Sequence, residues 1–258
     1  MSEVSMEEYR ENPGLGSSDI SAMLRSPAHY RARQAGQADS DATRQGRLIH
    51  EAVLEPALFA GRELRPKFDR RTKAGKAGYA EWEENKALHG LRDIGPEDFE
   101  LCEAVADAVM NHSKASDLLT LAPQREESVF WEEDGVPCKA RFDARGPGML
   151  VDLKTTRDAS AHAFGRAVAQ YGYHIQAAHY IEGAYAALGA DCEYTIIAVE
   201  KTEPFAVAVY MLDAFYFDKA RALRKVALQR YAGCVKNDVW PGYSETVQML
   251  AAPEWMRS

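Results

Sequence analysis

Three consecutive stretches of strand-like alternation, separated by two turn signals, constrain the fold of this chain more than any other feature. Alternating apolar and polar residues predict strands over 127–133, 136–143 and 149–154. An Asp-Gly pair at 134–135 is a hairpin signal, and an Arg-Gly-Pro-Gly run at 145–148 predicts a second turn. These stretches therefore predict an antiparallel meander of three neighbouring strands.

Helical signals flank this meander on both sides, and two further strands are predicted over 194–200 and 205–210. Helices are predicted over 17–24, from Ser26-Pro27 onward, and over 41–54, 96–121, 159–171, 173–188 and 213–235. This order predicts a single mixed α/β domain over 1–258. We divide it into a mainly helical part over 1–121, a sheet–helix core over 122–235 and a C-terminal tail over 236–258.

Residues 61–95 show the least regular pattern in the chain. Within them, residues 65–76 contain six lysines and arginines against one aspartate. Glycines at 75 and 78 interrupt any helical or strand pattern there. We expect this segment to form a mobile basic loop.

Composition places the chain among globular domains with one substantial core, because 46% of its 258 residues are hydrophobic. No apolar run approaches the roughly 20 residues that span a bilayer. The polar N-terminus lacks the apolar region of a signal peptide, so a cytoplasmic location without membrane partners is expected. The net charge of −8 argues against general coating of nucleic acid, although a local basic cleft can act inside an acidic shell.

The four cysteines, Cys102, Cys138, Cys192 and Cys234, are far apart in the sequence. No two of them form the close pair that zinc and iron–sulfur sites usually contain. We expect four reduced, mostly buried thiols.

The candidate chemistry lies on the second and third predicted strands. Because side chains alternate along a strand, Arg141 and Asp143 share one face, and Asp152 and Lys154 share one face of the next strand. A hairpin can therefore bring Asp143, Asp152 and Lys154 together above an apolar face.

Two carboxylates beside a lysine suit the hydrolysis of a phosphodiester. Carboxylate oxygens hold Mg²⁺, and the metal polarises the phosphate and lowers the pKa of a bound water. The amine can orient that water or stabilise developing charge, and the Leu153 carbonyl is a plausible further ligand. The simpler alternative is an exposed strand face that carries an ordinary Asp–Lys ion pair.

Further motifs extend this pattern along the chain. They are Gly16-Ser-Ser-Asp-Ile with Ser26-Pro-Ala-His-Tyr30, Gly46-Arg-Leu-Ile-His-Glu51, Arg141-Phe-Asp143, Asp152-Leu-Lys-Thr-Thr156 and Gln176-Ala-Ala-His-Tyr180. In this order they resemble the branch of PD-(D/E)XK nucleases that contains RecB, RecE and lambda exonuclease. The first two resemble the RecE-like (exonuclease VIII type) domain in particular, and the resemblance spans about residues 14–200.

The resemblance implies a restriction-endonuclease-like PD-(D/E)XK core, in which helices flank a mixed central sheet, with an N-terminal helical segment. It implies that Asp143 and Asp152 are the metal-binding acids and that Lys154 is the catalytic lysine. It also implies that His50 is a metal-associated histidine supplied by an upstream helix. The alternative for His50 is a histidine that is satisfied within the helix.

Gln176 and Tyr180 match a Gln-x-x-x-Tyr motif that follows the lysine, and residues four apart share one helix face. The resemblance implies that they hold the active-site lysine or touch the DNA backbone. A helix surface with one buried tyrosine is the alternative. Glu127 is the expected additional acid near the metals, and Glu126 competes with it because neighbouring strand residues face opposite sides.

The resemblance also implies a 5′-phosphate pocket beside the metals, for which Arg141 and Ser18 are the candidates. A guanidinium can bind a terminal phosphate through two parallel hydrogen bonds. Arg141 can equally pair with Glu132 or Asp152, so its role is open at this stage.

The implied cofactor is Mg²⁺, with Mn²⁺ able to substitute. No iron–sulfur cluster is expected, because Cys234 lacks the nearby cysteines that iron–sulfur members of this branch carry. No nucleotide cofactor is expected, because the sequence has no Walker motif. The expected partners are double-stranded DNA ends, further copies of the chain in a trimeric or tetrameric ring, and a single-strand annealing protein.

The expected function is a metal-dependent exodeoxyribonuclease that digests one strand of linear duplex DNA 5′→3′ and leaves a 3′ single-stranded tail for phage-type recombination. One alternative is a repair or structure-specific endonuclease on the same core. Others are a non-catalytic DNA-binding or assembly module and an unrelated α/β protein with coincidental carboxylates. Whether the basic residues 65–76 contact DNA is also open.

Overall fold

The computed structural model describes residues 4–36, 40–253 and 256. The helices within them are α1 (Met6–Glu11), α2 (Ser17–Arg25), α3 (Pro27–Gln34), α4 (Asp41–Leu54), α5 (Pro56–Ala60), α6 (Lys73–His89), α7 (Pro96–Asn111), α8 (Ser113–Leu121), α9 (Ala161–Tyr171), α10 (Tyr173–Leu188) and α11 (Ala214–Asn237). The strands are β1 (Glu63–Leu64), β2 (Asp93–Ile94), β3 (Gln124–Glu133), β4 (Val136–Gly146), β5 (Met149–Thr156), β6 (Glu193–Glu200) and β7 (Val207–Met211).

The central sheet has the spatial order β3-β4-β5-β6-β7. β5 and β6 are parallel and the other neighbours are antiparallel, which confirms the mixed sheet. The β3–β4 hairpin turns at Asp134 and Gly135, whose φ angles of 51° and 77° suit a two-residue turn, and Gly148 turns β4 into β5 at φ 68°. The predicted meander is therefore confirmed, with each strand two or three residues longer than predicted.

Helices cover both faces of the sheet. On one face, α4, α7 and α8 enclose a core that includes Ile49 and Ile197. On the other face, α9 and α10 enclose a core that includes Phe142 and Ile196. Ile196 and Ile197 are neighbours on β6 and enter opposite cores, as strand alternation requires.

A third apolar cluster joins the N-terminal segment to α10 and α11. It includes Leu15, Ile20 and Leu228. Leu15 extends the sheet locally, because its N–H donates to the Pro137 carbonyl and its carbonyl accepts from the Lys139 N–H. The segment around Leu15 and helix α11 thereby pack together with the same part of β4.

The segment expected to form a basic loop, residues 65–76, is only partly helical, because residues 65–72 lie in no helix or strand and α6 begins at Lys73. Thr72 caps α6 by accepting a hydrogen bond from the Gly75 N–H, and β1 pairs with β2 in parallel. None of the α6 side chains is buried. The helix therefore lacks the apolar stripe on which sequence-based recognition of helices depends.

The helix predicted over 96–121 is two helices. His112 ends α7 with an extended backbone, at φ −80° and ψ 107°, and its ring nitrogen accepts the Ala115 N–H to begin α8. All four cysteines are buried with free thiols, as expected. Among the described residues, no helix combines the length and apolar character needed to cross a bilayer.

Candidate metal centre

The candidate site lies where β4 and β5 separate. The two strands pair from Gly146–Met149 to Ala144–Val151, and the ladder ends there. Asp143 and Asp152 are the next residues on their strands, beyond the last pair. The Leu153 N–H donates to Asp143 Oδ2 at 2.8 Å, so a side chain replaces the missing ladder bond and holds the fork.

Helix α4 supplies the histidine. Ser40 caps the helix, and Leu48, Ile49 and Ala52 bury its apolar side in the core. This packing leaves His50 at the fork, with Nδ1 3.5 Å from Asp143 Oδ2. The side chain of His50 is 26% exposed, so solvent or a substrate can reach it.

The additional acid at the site is Glu126, whereas Glu127 was expected. Glu126 lies between Arg125, which pairs with Ala144, and Glu127, which pairs with Phe142, and its φ of 49° interrupts the ladder opposite Asp143. Ligand atoms of His50, Glu126 and Asp143 all lie within 4.8 Å of one another. Glu127 instead binds Arg145, with 2.9 Å between Oε1 and Nη2.

The separation of the two glutamates follows from the hairpin register. A two-residue turn at 134–135 makes residues 133 and 136 partners. Counting back from that turn brings Glu126 opposite Asp143 and Glu127 opposite the buried Phe142. The sequence therefore contained the signal that distinguishes the two acids.

The pKa values of the site residues show that the carboxylates have too little positive charge around them. Burial, and next the negative charge of Asp152, raise the pKa of Asp143 to about 7. Burial and Asp143 raise the pKa of Glu126. Burial and the positive charge of Lys154 lower the pKa of His50, which favours the neutral imidazole that binds metals.

Asp152 and Lys154 form an ion pair beside this group. Burial alone would lower the pKa of Lys154, but the carboxylates of Asp152 and Asp143 outweigh it and the pKa is raised. The amine also lies 5.1 Å from the centre of the Tyr173 ring. Lys154 is therefore held as a cation at the fork.

Gln176 contacts Asp152, whereas the motif implied the lysine or DNA. Its Nε2 donates to Asp152 Oδ1 at 2.8 Å. Tyr180 is buried against Phe142, with ring centroids 5.4 Å apart, and burial raises the pKa of its hydroxyl well above the usual value. Gln176 thus holds Asp152, and Asp152 in turn holds Lys154. Tyr180 packs nearby against Phe142.

The two candidates for a 5′-phosphate pocket lie in different settings. Arg141 donates from Nε to Glu126 at 2.8 Å, and from Nη1 to Ser128 Oγ at 2.7 Å and to the Val4 carbonyl at 3.0 Å. Neither Glu132 nor Asp152 is its partner in these contacts. Ser18 is exposed in the first turn of α2.

The donor set fits a hard divalent cation. His50, Glu126 and Asp143 offer one nitrogen and carboxylate oxygens, and a hydrogen bond with the Leu153 backbone opposes a small part of the lowering of the His50 pKa. Oxygen-rich sets of this kind suit Mg²⁺ or Mn²⁺. A cation there would also neutralise the carboxylates whose pKa values are raised.

Comparisons with known proteins agree with this architecture. Residues 16–253 match the family described as "PDDEXK-like domain of unknown function (DUF3799)". A candidate exonuclease from Eubacterium rectale has a similar structure, with a TM-score of 0.63 and 15% identity over 96% of this chain and 92% of that chain. A phage-related exonuclease from Haemophilus somnus 129PT aligns with a TM-score of 0.35 and 12% identity over 88% of this chain and 96% of that one. A search of curated proteins gave no match.

A forked pair of strands that carries Asp143, Asp152 and Lys154 within a mixed sheet defines the PD-(D/E)XK class. The family match covers most of the sequence. The chain therefore belongs to the DUF3799 family of PDDEXK-like domains. At 15% identity, the Eubacterium rectale structure supports the shared fold.

Proposed function

We propose that this protein is a metal-dependent 5′→3′ exodeoxyribonuclease that acts on the ends of linear double-stranded DNA and leaves a 3′ single-stranded tail for recombination. The observation that carries this proposal is the gathering of His50, Glu126 and Asp143 within 4.8 Å, beside Lys154. Membership of a PDDEXK-like family supports a nuclease. The exonuclease names of the structural neighbours agree with it.

The residues divide the chemistry between them. His50, Glu126, Asp143 and the Leu153 carbonyl would hold Mg²⁺ or Mn²⁺, which would supply polarisation of the scissile phosphate and a more acidic water. Lys154 retains its proton and places positive charge where the phosphate gains negative charge.

Asp152 and Gln176 act behind Lys154. Asp152 is paired with the amine, and Gln176 holds the other oxygen of that carboxylate at 2.8 Å. Asp152 is 1% exposed, so it is the most enclosed acid of the fork. In our proposal Asp152 positions Lys154, and its carboxylate would also place negative charge beside a bound cation.

The proposal predicts digestion of linear duplex and no attack on a closed circle. We expect end-labelled linear DNA to be degraded with Mg²⁺ and preserved with EDTA.

Lys154→Ala should lower the rate at least about a hundredfold, because it removes charge stabilisation at the phosphate. Circular dichroism checks the fold, and Lys219→Ala, an exposed lysine on α11, is the matched control. Nicking of the circle would instead favour the endonuclease alternative, and wild-type rates for Lys154→Ala would refute the site.

The direction of digestion depends on the proposed pocket of Arg141 and Ser18. We expect duplexes with a 5′-phosphate to be digested faster than duplexes with a 5′-hydroxyl, because a guanidinium binds the doubly charged terminal group. Ser18→Ala should reduce this preference and leave the 5′-hydroxyl rate unchanged. Equal initial rates on the two substrates would remove the case for the pocket.

We also propose that copies of the chain form a trimeric or tetrameric ring around the product and pass the tail to an annealing protein. A ring would explain processive digestion by a chain without a motor. Light scattering should then give a mass three or four times the 28.7 kDa of the chain. A monomeric mass in the presence of DNA would contradict the ring.

A further inference from the structure

Helix α4, which carries His50, also lines a cleft of about 580 Å³. Arg44 and Arg47 line it from α4, and Arg65 and Lys86 line it from the opposite side. Arg47 precedes His50 by three residues, which is about 4.5 Å along the axis, and Arg44 lies about 9 Å away. The α4 residues that line the cleft therefore lie within six positions of His50 on the same helix.

Cations outnumber acids in and around this cleft. Glu51 is shared by Arg62, at 2.7 Å, and Arg92, at 2.5 Å. Asp93 is shared by Lys86, at 2.8 Å, and Arg65, at 3.5 Å. Each of these largely buried carboxylates thus contacts two cations, and Asp98 pairs with Arg44 at 2.6 Å, so the cations at this cleft still outnumber the carboxylates.

The basic segment 65–76 continues from this cleft. Arg65 and Arg44 line both this cleft and a second one of about 600 Å³, which Lys67 lines together with the acids Asp41, Glu97 and Asp98. Residues 65–76 contain six lysines and arginines and one aspartate, a net charge of +5 in a chain of −8. Positive charge is therefore concentrated in the segment that begins at the cleft residue Arg65.

The placement of two of these lysines is unfavourable for the helix itself. Lys73 and Lys76 lie in the first turns of α6, where the helix dipole favours acidic residues. Both side chains are exposed, and no α6 side chain is buried, so packing does not explain them. A polyanionic partner would supply the compensating charge.

We propose that this cleft and the segment 65–76 bind the phosphate backbone of duplex DNA next to the cleaved end. The inference rests on the proposed nuclease function and names a surface that holds its substrate. The roughly 9 Å from His50 to Arg44 corresponds to two or three nucleotides of one strand, at about 3.4 Å each. The segment 65–76 extends the contact beyond them, which a single phosphate or a mononucleotide would not need.

Binding without cleavage tests the proposal. Fluorescence anisotropy with a short labelled duplex in EDTA measures affinity in the absence of metal chemistry. We expect Lys73→Ala/Lys76→Ala to weaken binding roughly tenfold at moderate salt and to lower the slope of log K against log salt by about 2. Helix stability should not fall, because the change removes cations from a helix N-terminus.

The matched control is Lys219→Ala/Lys225→Ala, which removes two exposed lysines from α11. It should bind as the wild type does. A second variant, Arg65→Ala/Lys86→Ala, tests the cleft itself and should weaken binding in the same way.

The outcomes separate this inference from the proposed function. The inference would be overturned if both the cleft variant and the segment variant bound duplex with wild-type affinity. It would also be overturned if the wild-type protein did not bind duplex, or if it bound single strands as tightly as duplex. Failure of the wild-type protein to digest linear DNA with Mg²⁺, while it binds duplex in EDTA, would overturn the nuclease function alone.

Discussion

Glu126 and Glu127 are adjacent carboxylates with different surroundings. Glu126 faces His50 and Asp143 and accepts a hydrogen bond from Arg141, whereas Glu127 pairs with Arg145 on the other side of β3. Burial and a nearby carboxylate raise the pKa of Glu126. The structure therefore groups one glutamate with His50 and Asp143 and places its neighbour in an ion pair, and we propose metal binding for the first alone.

Exchanging each glutamate for glutamine tests this assignment. Glu126→Gln should weaken Mn²⁺ binding at least about tenfold, since it removes a charged ligand. Glu127→Gln should leave Mn²⁺ affinity unchanged and cost about 0.5–1 kcal/mol of stability through its partly exposed ion pair. Calorimetric titration and urea unfolding measure the two effects. Weaker binding for Glu127→Gln than for Glu126→Gln would reverse the assignment.

At the residue scale, the sequence predicted the residues of the site better than their contacts. The grouping of Asp143, Asp152 and Lys154 could be predicted because strand alternation and one turn determine which face of the sheet each side chain lies on. The contact between Gln176 and Asp152 depends on how α10 packs across the sheet, 24 positions away in sequence. Local periodicity contains no information about that packing, so it could not show that Gln176 contacts Asp152. The contact between Gln176 and Lys154 that the motif implied is not among the hydrogen bonds of Gln176 described above.

At the scale of elements, predictability follows burial. Helix α4 was predicted with its observed ends because it buries a stripe of five apolar residues and has a Ser40 cap. Helix α6 buries none of its side chains and was missed. We infer that Lys73 and Lys76, at the start of this helix, bind DNA. The part of the chain with the least helical pattern is therefore also the part for which we infer a binding role.

The fork between β4 and β5 shows how elements create the site. The ladder stops at Ala144–Val151, and β5 continues beside β6 to Thr156. β4 instead pairs with β3, and the Leu15 segment approaches it at Cys138. Because the two strands follow different neighbours, a gap opens that side chains from β3, β4, β5 and α4 fill.

At the scale of the whole molecule, His179 joins four separate parts of the chain. Its Nε2 lies 3.1 Å from the Leu15 carbonyl and 3.0 Å from the Lys139 carbonyl, and Arg224 donates from Nε to its Nδ1 at 3.1 Å. Arg224 in turn binds Glu133 at 2.8 Å. These contacts require a neutral ring with its proton on Nε2. Burial and the charge of Arg224 accordingly lower the pKa of His179 to about 3.

This junction predicts a loss of stability in mild acid. Below pH 6.5 the unfolded chain protonates His179 while the folded protein leaves it neutral, so the free energy of unfolding falls by about 1.4 kcal/mol per pH unit until about pH 3. Asp143 acts in the opposite sense, because its raised pKa lets the folded state bind a proton first. The difference between wild type and His179→Gln therefore isolates the imidazole, since glutamine keeps one donor and one acceptor. Urea unfolding between pH 7 and pH 5 should show a slope smaller by about one proton in the variant. Parallel pH profiles would mean that the ring is already charged in the folded protein or titrates normally there.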